Sequence, residues 1–181
     1  AVPPLAEGLS MKKPLLISIA AGIPISSLES WVGGDLAMVR AMPNTPALIN
    51  AGITALFANS RVFLEQRDQA DSIMRAVGKT VWLEDETLMD TVTAVSGTGP
   101  AYFFYFMEAL EQAAIEEGLD AEISRLLMLE TALGAARLAI ETAKSPAELR
   151  GQVTSPGGTT EAAMQVLDQA GMSQIFKLAV T

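Results

Sequence analysis

Thr80-Val81-Trp82-Leu83-Glu84-Asp85-Glu86 is the stretch at which the chain changes its grammar. Before it, short apolar runs alternate with turn residues, as in βα units. After it, only the helical period of apolar residues is found. Thr80-Val81-Trp82-Leu83 reads as the last strand, and the acidic triplet reads as a solvated hinge between an α/β segment and an all-α segment.

Working back from the hinge, residues 62–77 have the apolar spacing of a helix, with Gly78 as its stop. Gly52 introduces a strand at Ile53-Thr54-Ala55-Leu56-Phe57, and residues 36–42 form the strand before it, broken by Pro43-Asn44-Thr45-Pro46. Ser26 and Glu29 have the spacing of a capping box opening a short helix that Gly33-Gly34 ends. Lys12-Lys13-Pro14 leads into Leu15-Leu16-Ile17-Ser18-Ile19-Ala20, which is apolar on both faces, as a central parallel strand is, and stops at Ala21-Gly22.

Working forward, residues 88–95 form a short helix interrupted by Ser96-Gly97-Thr98-Gly99-Pro100, and residues 101–117 form a strongly apolar helix closed by Gly118. Asp120 is a natural N-cap for a helix over 121–142 whose leucines cover more than one face, so burial on several sides is expected. Ser145-Pro146-Ala147-Glu148 combines a Ser cap, Pro at the first helical position and Glu at the third. Ser155-Pro156-Gly157-Gly158-Thr159-Thr160 precedes a helix ending near Gly171, and Ser173 starts the last one. The aromatic run Tyr102-Phe103-Phe104-Tyr105-Phe106, continued by Met107, is read as core or subunit packing.

Composition limits the chemistry. The 181 residues contain neither Cys nor His, which excludes thiol nucleophiles, disulfides, imidazole or thiolate metal sites and Ser-His-Asp triads. No metal site is expected at Glu84, Asp85, Glu86 and Asp90. A formal charge of −9 opposes binding to a phosphate backbone, so nucleic acid is not an expected partner. Half the residues are hydrophobic and mean hydropathy is +0.32, which calls for extensive burial, part of it between chains. No apolar run approaches the roughly 20 residues of a membrane span. The chain opens on Ala without a cationic leader and reads as though another segment preceded it.

Three small-residue segments are suited to ligands. In 155–160, two glycines allow close backbone approach, and the helix beginning beside Thr159 or Thr160 points unpaired N–H groups and its positive dipole end at a carboxylate or phosphate. Taken alone, a turn with a Thr cap explains the segment as well. Residues 96–102 suit close packing against a flat ring, or simply an interhelical turn with Pro in its first helical turn. Met42-Pro43-Asn44-Thr45-Pro46 lies at the carboxyl end of an expected parallel strand, where open α/β sheets bind ligands.

In this order, Met42-Pro43-Asn44-Thr45-Pro46, Ser96-Gly97-Thr98-Gly99-Pro100-Ala101-Tyr102 and Val153-Thr154-Ser155-Pro156-Gly157-Gly158-Thr159-Thr160 resemble the motifs of pyrroline-5-carboxylate reductases. Ile19-Ala20-Ala21-Gly22-Ile23 and Leu133-Gly134-Ala135-Ala136 fit as well, although Thr98 stands where Ser is more usual. The resemblance implies an α/β fold, a partial Rossmann-like sheet over 1–85 from an NAD(P)-binding domain, followed by an all-α dimerisation and substrate-binding domain over 86–181. The family's first strand and glycine-rich turn have no counterpart here, so it also implies a truncated form.

The activity implied is reduction of 1-pyrroline-5-carboxylate to L-proline by hydride from NADPH or NADH in the cytoplasm. The substrate carboxylate would lie at Ser155, Gly157, Gly158, Thr159 and Thr160, with Thr160 the key side chain. Ser96, Gly97 and Thr98 would lie by the nicotinamide and imine. Ala21, Gly22, Met42, Pro43 and Asn44 would border the cofactor. The partner implied is a second copy in an interlocked homodimer, commonly assembled further into decamers, with no membrane or nucleic acid involved. Two readings compete: a non-catalytic dimerisation and substrate-loop module, and another two-domain NAD(P)-dependent dehydrogenase. Against the second, the helical half has only Lys144 and Lys177, neither inside a glycine-rich motif.

Overall fold

The structure, a computed structural model, describes Leu9 and residues 13–181; Ala1, on which the reading of the chain's start rests, and Lys12 of the lead-in lie outside the described residues. Two compact units follow one another, Ala1–Pro100 and Ala101–Thr181.

The first unit contains β1 (Leu16–Ser18), α1 (Ile25–Val32), β2 (Met38–Met42), a short 3₁₀ turn (Thr45–Ile49), β3 (Gly52–Ala58), α2 (Leu64–Arg75), β4 (Gly78–Trp82) and α3 (Leu88–Val92). The sheet order is β1-β2-β3-β4. The expectation of parallel strands holds for β1 with β2 and for β3 with β4, but β2 and β3 run antiparallel. The reason is chain length: only residues 43–51 connect β2 to β3, too few for a helical crossover. β1 lies at the edge of the described sheet and is half-buried.

The core lies on both sides of β2. Met38 packs with Ile25, Leu28, Val32 and Leu36, while Val39 and Ala41 pack with Leu56, Ala70 and Met74. At about 25 cal/mol per Å² of apolar surface, these side chains are the main source of the unit's stability. Asn59 fastens the first cluster: its side chain accepts from the Met38 N–H and donates to the Leu36 carbonyl and to Glu29.

Two local expectations fail for tertiary reasons. α1 starts at Ile25 behind Pro24 without a side-chain cap, so Ser26 and Glu29 form no capping box. The Ile25 N–H instead donates to Glu86 at 2.8 Å, and Glu29 is occupied by Asn59 and Arg61. Gly78 is not the stop of α2, which ends at Arg75; it is the first residue of β4, facing Gly52 across the ladder.

Asp71 docks α2 onto β4. It accepts hydrogen bonds from Thr80 Oγ1 at 2.6 Å and Trp82 Nε1 at 3.3 Å and pairs with Arg75, while the Arg67 guanidinium lies 4.3 Å from the Trp82 ring. The Thr80 hydroxyl, above all, holds the Asp71 carboxyl below its ordinary value of 3.8. A depressed carboxylate stabilises the fold above its unfolded value and loses that contribution as pH falls through the lower folded value. Asp71→Ala is therefore expected to cost about 1–3 kcal/mol at pH 7, the loss of hydrogen bonds to a charged group. Urea titrations should show the gap between variant and parent closing as pH drops below about 4.

In the second unit, α4 (Gly99–Glu116, whose first residues lie in the first unit), α5 (Ala121–Glu141), α6 (Pro146–Gln152), α7 (Thr159–Gln169) and α8 (Met172–Val180) follow in order. Two helix starts form as expected. Asp120 accepts from the N–H groups of Glu122 and Ile123, and Ser145 and Glu148 make a reciprocal capping box. The expected burial of α5 does not occur within the chain, where only Ser124 and Met128 of that helix are buried. Leu126, Leu127, Leu133 and Leu138 are exposed, as are Phe103, Phe104 and Tyr105 of the aromatic run. Tyr102 of that run lies edge-on to Phe176. Among the described residues no helix is long and apolar enough to cross a membrane.

Candidate functional site

In the first unit the candidate residues gather at strand ends. β1 and β2 are parallel, so the Ala21-Gly22 turn after β1 and the Met42-Pro43-Asn44 loop after β2 emerge at the same edge of the sheet. Gly22 has φ +70°, a left-handed conformation that a side chain would strain, and the space where its Cβ would stand is open. Pro43 and Pro46 limit the loop's freedom. Asn44 anchors it, its side-chain oxygen accepting the Ile53 N–H at 3.0 Å, so this oxygen is occupied within the fold.

The segment around Ser96 is a widened turn of helix. After α3 the chain makes a π turn (Thr93–Gly97) closed by the Thr98 N–H donating to the Thr93 carbonyl at 2.8 Å. π turns interrupt the regular ladder and recur at functional sites. Here the turn brings Gly97 against Met42: an alanine methyl at 97 would come within 2.5 Å of Met42 Cε. Two of the three motifs thus meet in space. Ser96 also borders an apolar hollow of about 340 Å³ between Ile53, Val81, Leu83 and Val92.

What fastens this segment to the sheet was not legible in any motif. Arg40, in the middle of β2 and 4% exposed, donates to Glu86 at 3.0 Å and lies 3.6 Å from Asp90. Glu86 also accepts the Ile25 N–H. The reading of Glu86 as a solvated hinge charge is therefore corrected: a buried guanidinium requires a nearby carboxylate, and Glu86 supplies it. The available signal was a lone Arg within the apolar run 36–42. Only Asp85, which accepts the Thr87 N–H, and Glu84 of the acidic triplet remain exposed.

In the second unit, residues 155–160 form one loop. Pro146 starts α6, and Thr154 closes its end by donating to the Arg150 carbonyl. Ser155-Pro156-Gly157-Gly158 is a tight turn in which the Gly158 N–H donates to the Ser155 carbonyl at 3.0 Å. Pro at its second position and Gly157 at φ +71° in its third are what a type II turn requires. Gly158, not a threonine, is the N-cap of α7, and it has no side-chain cap.

The first intrahelical bond of α7 runs from the Ala162 N–H to the Gly158 carbonyl. The N–H groups of Thr159, Thr160 and Glu161 therefore have no partner four residues back, and the positive end of the helix dipole is there. Ser155, Gly157 and Thr159 are exposed, while Gly158 and Thr160 are half-buried. The Gly157 N–H is taken by Glu161 Oε2 at 2.8 Å, a contact that no motif pointed to. The loop can present these three backbone donors and the Thr160 hydroxyl to an anion.

A partial Rossmann-like α/β sheet followed by an all-α unit with exposed apolar helices is the class of fold that the chain presents. The family model for pyrroline-5-carboxylate reductase dimerisation matches residues 86–181. The chain belongs to the pyrroline-5-carboxylate reductase family. The Pseudomonas aeruginosa pyrroline-5-carboxylate reductase is 49% identical over 166 residues, covering 92% of this chain and 61% of the relative. That of Pasteurella multocida is 44% identical over 180 residues, covering 97% and 66%. The solved Coxiella burnetii pyrroline-5-carboxylate reductase superposes with a TM-score of 0.92 at 47% identity, over 99% of this chain and 66% of that one. The Plasmodium falciparum enzyme, crystallised with NADP bound, gives 0.93 at 32% identity, over 99% and 70%. The chain spans about three-fifths to two-thirds of the length of these two curated relatives.

Proposed function

We propose that the protein reduces the cyclic imine 1-pyrroline-5-carboxylate to L-proline, the last step of proline synthesis, using NADPH or NADH. The observation that carries this reading is the 49% identity to a named pyrroline-5-carboxylate reductase across most of the chain. The loop at 155–160 supports it, because open donors at a helix N-terminus suit a carboxylate.

A nicotinamide cofactor fits the strand-end residues. The open, left-handed turn at Gly22 permits close approach of a ligand, and Met42 and Gly97 pack closely against each other. Ala21, Gly22, Met42, Pro43 and Asn44 would hold the cofactor, which when bound supplies a hydride. Ser96, Gly97 and Thr98 would flank the imine ring. An iminium carbon is already electrophilic, so the residues' work is to hold two rings face to face and keep water out. A chain without His or Cys can do that work.

The Thr159 and Thr160 N–H groups and the Thr160 hydroxyl would hold the substrate carboxylate, with Ser155, Gly157 and Gly158 shaping the turn. Thr160→Ala removes one hydrogen bond to a charged group. It is expected to lower kcat/KM for the imine by about 10- to 100-fold, with the greater part in KM. Steady-state kinetics with both substrates varied check this.

The exposed apolar faces of α4 and α5 support a homodimer in which the helical domains interlock, assembling further into decamers. A division of labour at residues 85 and 86, cofactor fold before and substrate and dimer contacts after, goes with this reading, as does a cytoplasmic location. The test is NAD(P)H oxidation with pyrroline-5-carboxylate, run on the 181-residue chain and on the full encoded protein. Imine-dependent oxidation supports the reading; its absence from both overturns it.

A further inference from the structure

We propose that Glu161 is a positioning residue for the carboxylate loop, acting through Gly157 and not on the substrate; the inference rests on the function proposed above. The turn at 155–158 has one internal backbone hydrogen bond, and three of its four residues are exposed. Its two glycines give it more backbone freedom than any other residue pair would, so it needs a tether to hold one shape. Glu161 supplies the tether: Oε2 accepts the Gly157 N–H at 2.8 Å, a charge-assisted bond.

The placement departs from an ordinary capping box. Glu161 is the third residue of α7, from which a glutamate normally reaches back to the N-cap N–H. That N–H, on Gly158, is already donated to the Ser155 carbonyl, and the carboxylate reaches one residue further, to Gly157. Both glycine N–H groups are thereby used inside the loop. The backbone donors left without a partner are those of Thr159, Thr160 and Glu161, and the turn is held closed before any ligand arrives. Ordering a loop in advance removes a cost that binding would otherwise carry.

The tether depends on the reach of the side chain more than on its charge. Glu161→Gln keeps an oxygen acceptor at the same distance, Glu161→Asp is one methylene too short, and Glu161→Ala has no acceptor. Two measurements on the full encoded protein test this: steady-state kinetics with the imine and NAD(P)H, and hydrogen exchange of the Gly157 amide by NMR. For the Ala and Asp variants the KM of the imine is expected to rise about tenfold, and Gly157 exchange to accelerate similarly, the equivalent of one hydrogen bond. Turnover at saturation and the KM of the nicotinamide cofactor should stay within about twofold, and Glu161→Gln should restore both the imine KM and slow exchange.

A Gln variant as impaired as the Ala variant would overturn the proposal, as would unchanged Gly157 exchange in Glu161→Ala. Should the parent protein turn over no imine, the function proposed above fails, while the exchange measurement still decides whether Glu161 holds the turn.

Discussion

Gly158→Asp is expected to raise the KM of the imine acid about a hundredfold while leaving the protein folded. Gly158 is the N-cap of α7 with φ −87° and ψ 169°, a conformation open to any L-residue. Aspartate is among the best N-cap residues because its carboxylate accepts N–H groups of the first helical turn. In this position it would take the donors that the substrate carboxylate needs and place a like charge beside them. At a separation of about 5 Å and an effective dielectric near 20, that repulsion is about 3 kcal/mol, roughly two orders of magnitude in affinity. A Cβ at 158 would come within 3.0 Å of the Ser155 carbonyl, so the turn must give slightly, which the new cap offsets. The measurement is the KM of the imine together with Tm: a KM raised about a hundredfold at undiminished Tm is expected, and an unchanged KM would place the substrate carboxylate elsewhere.

Gly78→Ala is expected to destabilise the first unit severely. Gly78 pairs with Gly52 across β3 and β4, and its backbone has φ +152°. A methyl group there would collide with the Gly52 carbonyl and its neighbouring backbone atoms, and no side chain is present that could move aside. Gly52 cannot retreat either, because a Cβ on it would meet the backbone of Ala47 at 2.9 Å. The two strands must separate at the start of their ladder. Steric overlap of this kind belongs with the most destabilising substitutions, at about 4 kcal/mol or more, against a total of about 5–15 kcal/mol for a domain. Thermal denaturation followed by near-ultraviolet circular dichroism, with Trp31 and Trp82 both in the first unit, reads the outcome. A Tm within about 2 °C of the parent would show that the two glycines are not locked together.

Both predictions rest on glycines visible in the sequence, yet for different reasons. Gly157 and Gly158 are legible because a Ser-Pro-Gly-Gly turn and a helix start are local: neighbouring residues determine φ, ψ and the direction of the N–H groups. The role of Gly78 is not local. A glycine after a helical run reads as a helix stop, and only the pairing of β4 with β3 shows that it is there for close backbone approach.

The same division runs through the rest of the site. The Ser145 and Asp120 caps form as the sequence predicts, since each partner lies within three residues. The Ser26 cap does not, because Glu86, distant in sequence, reaches the start of α1 first. Glu86 reads as a solvated charge until Arg40 is found buried beside it, and Met42 and Gly97 read as separate motifs until the π turn puts one against the other. The turning back of β3 was legible in the short connection at 43–51, but the alternation of strands and helices suggested a wholly parallel sheet.

By itself the sequence determined the class of fold, the positions of the strands and helices, the three small-residue loops and the family, because hydrophobic period, turn residues and caps act over a few neighbouring positions. The tertiary structure alone decided the mixed direction of the sheet, the Arg40–Glu86 tie, the meeting of Met42 with Gly97 and the exposure of the α4 and α5 faces. Each depends on which surfaces remain after distant segments have packed, and a linear pattern of apolar residues shows that a face must be covered without showing what covers it.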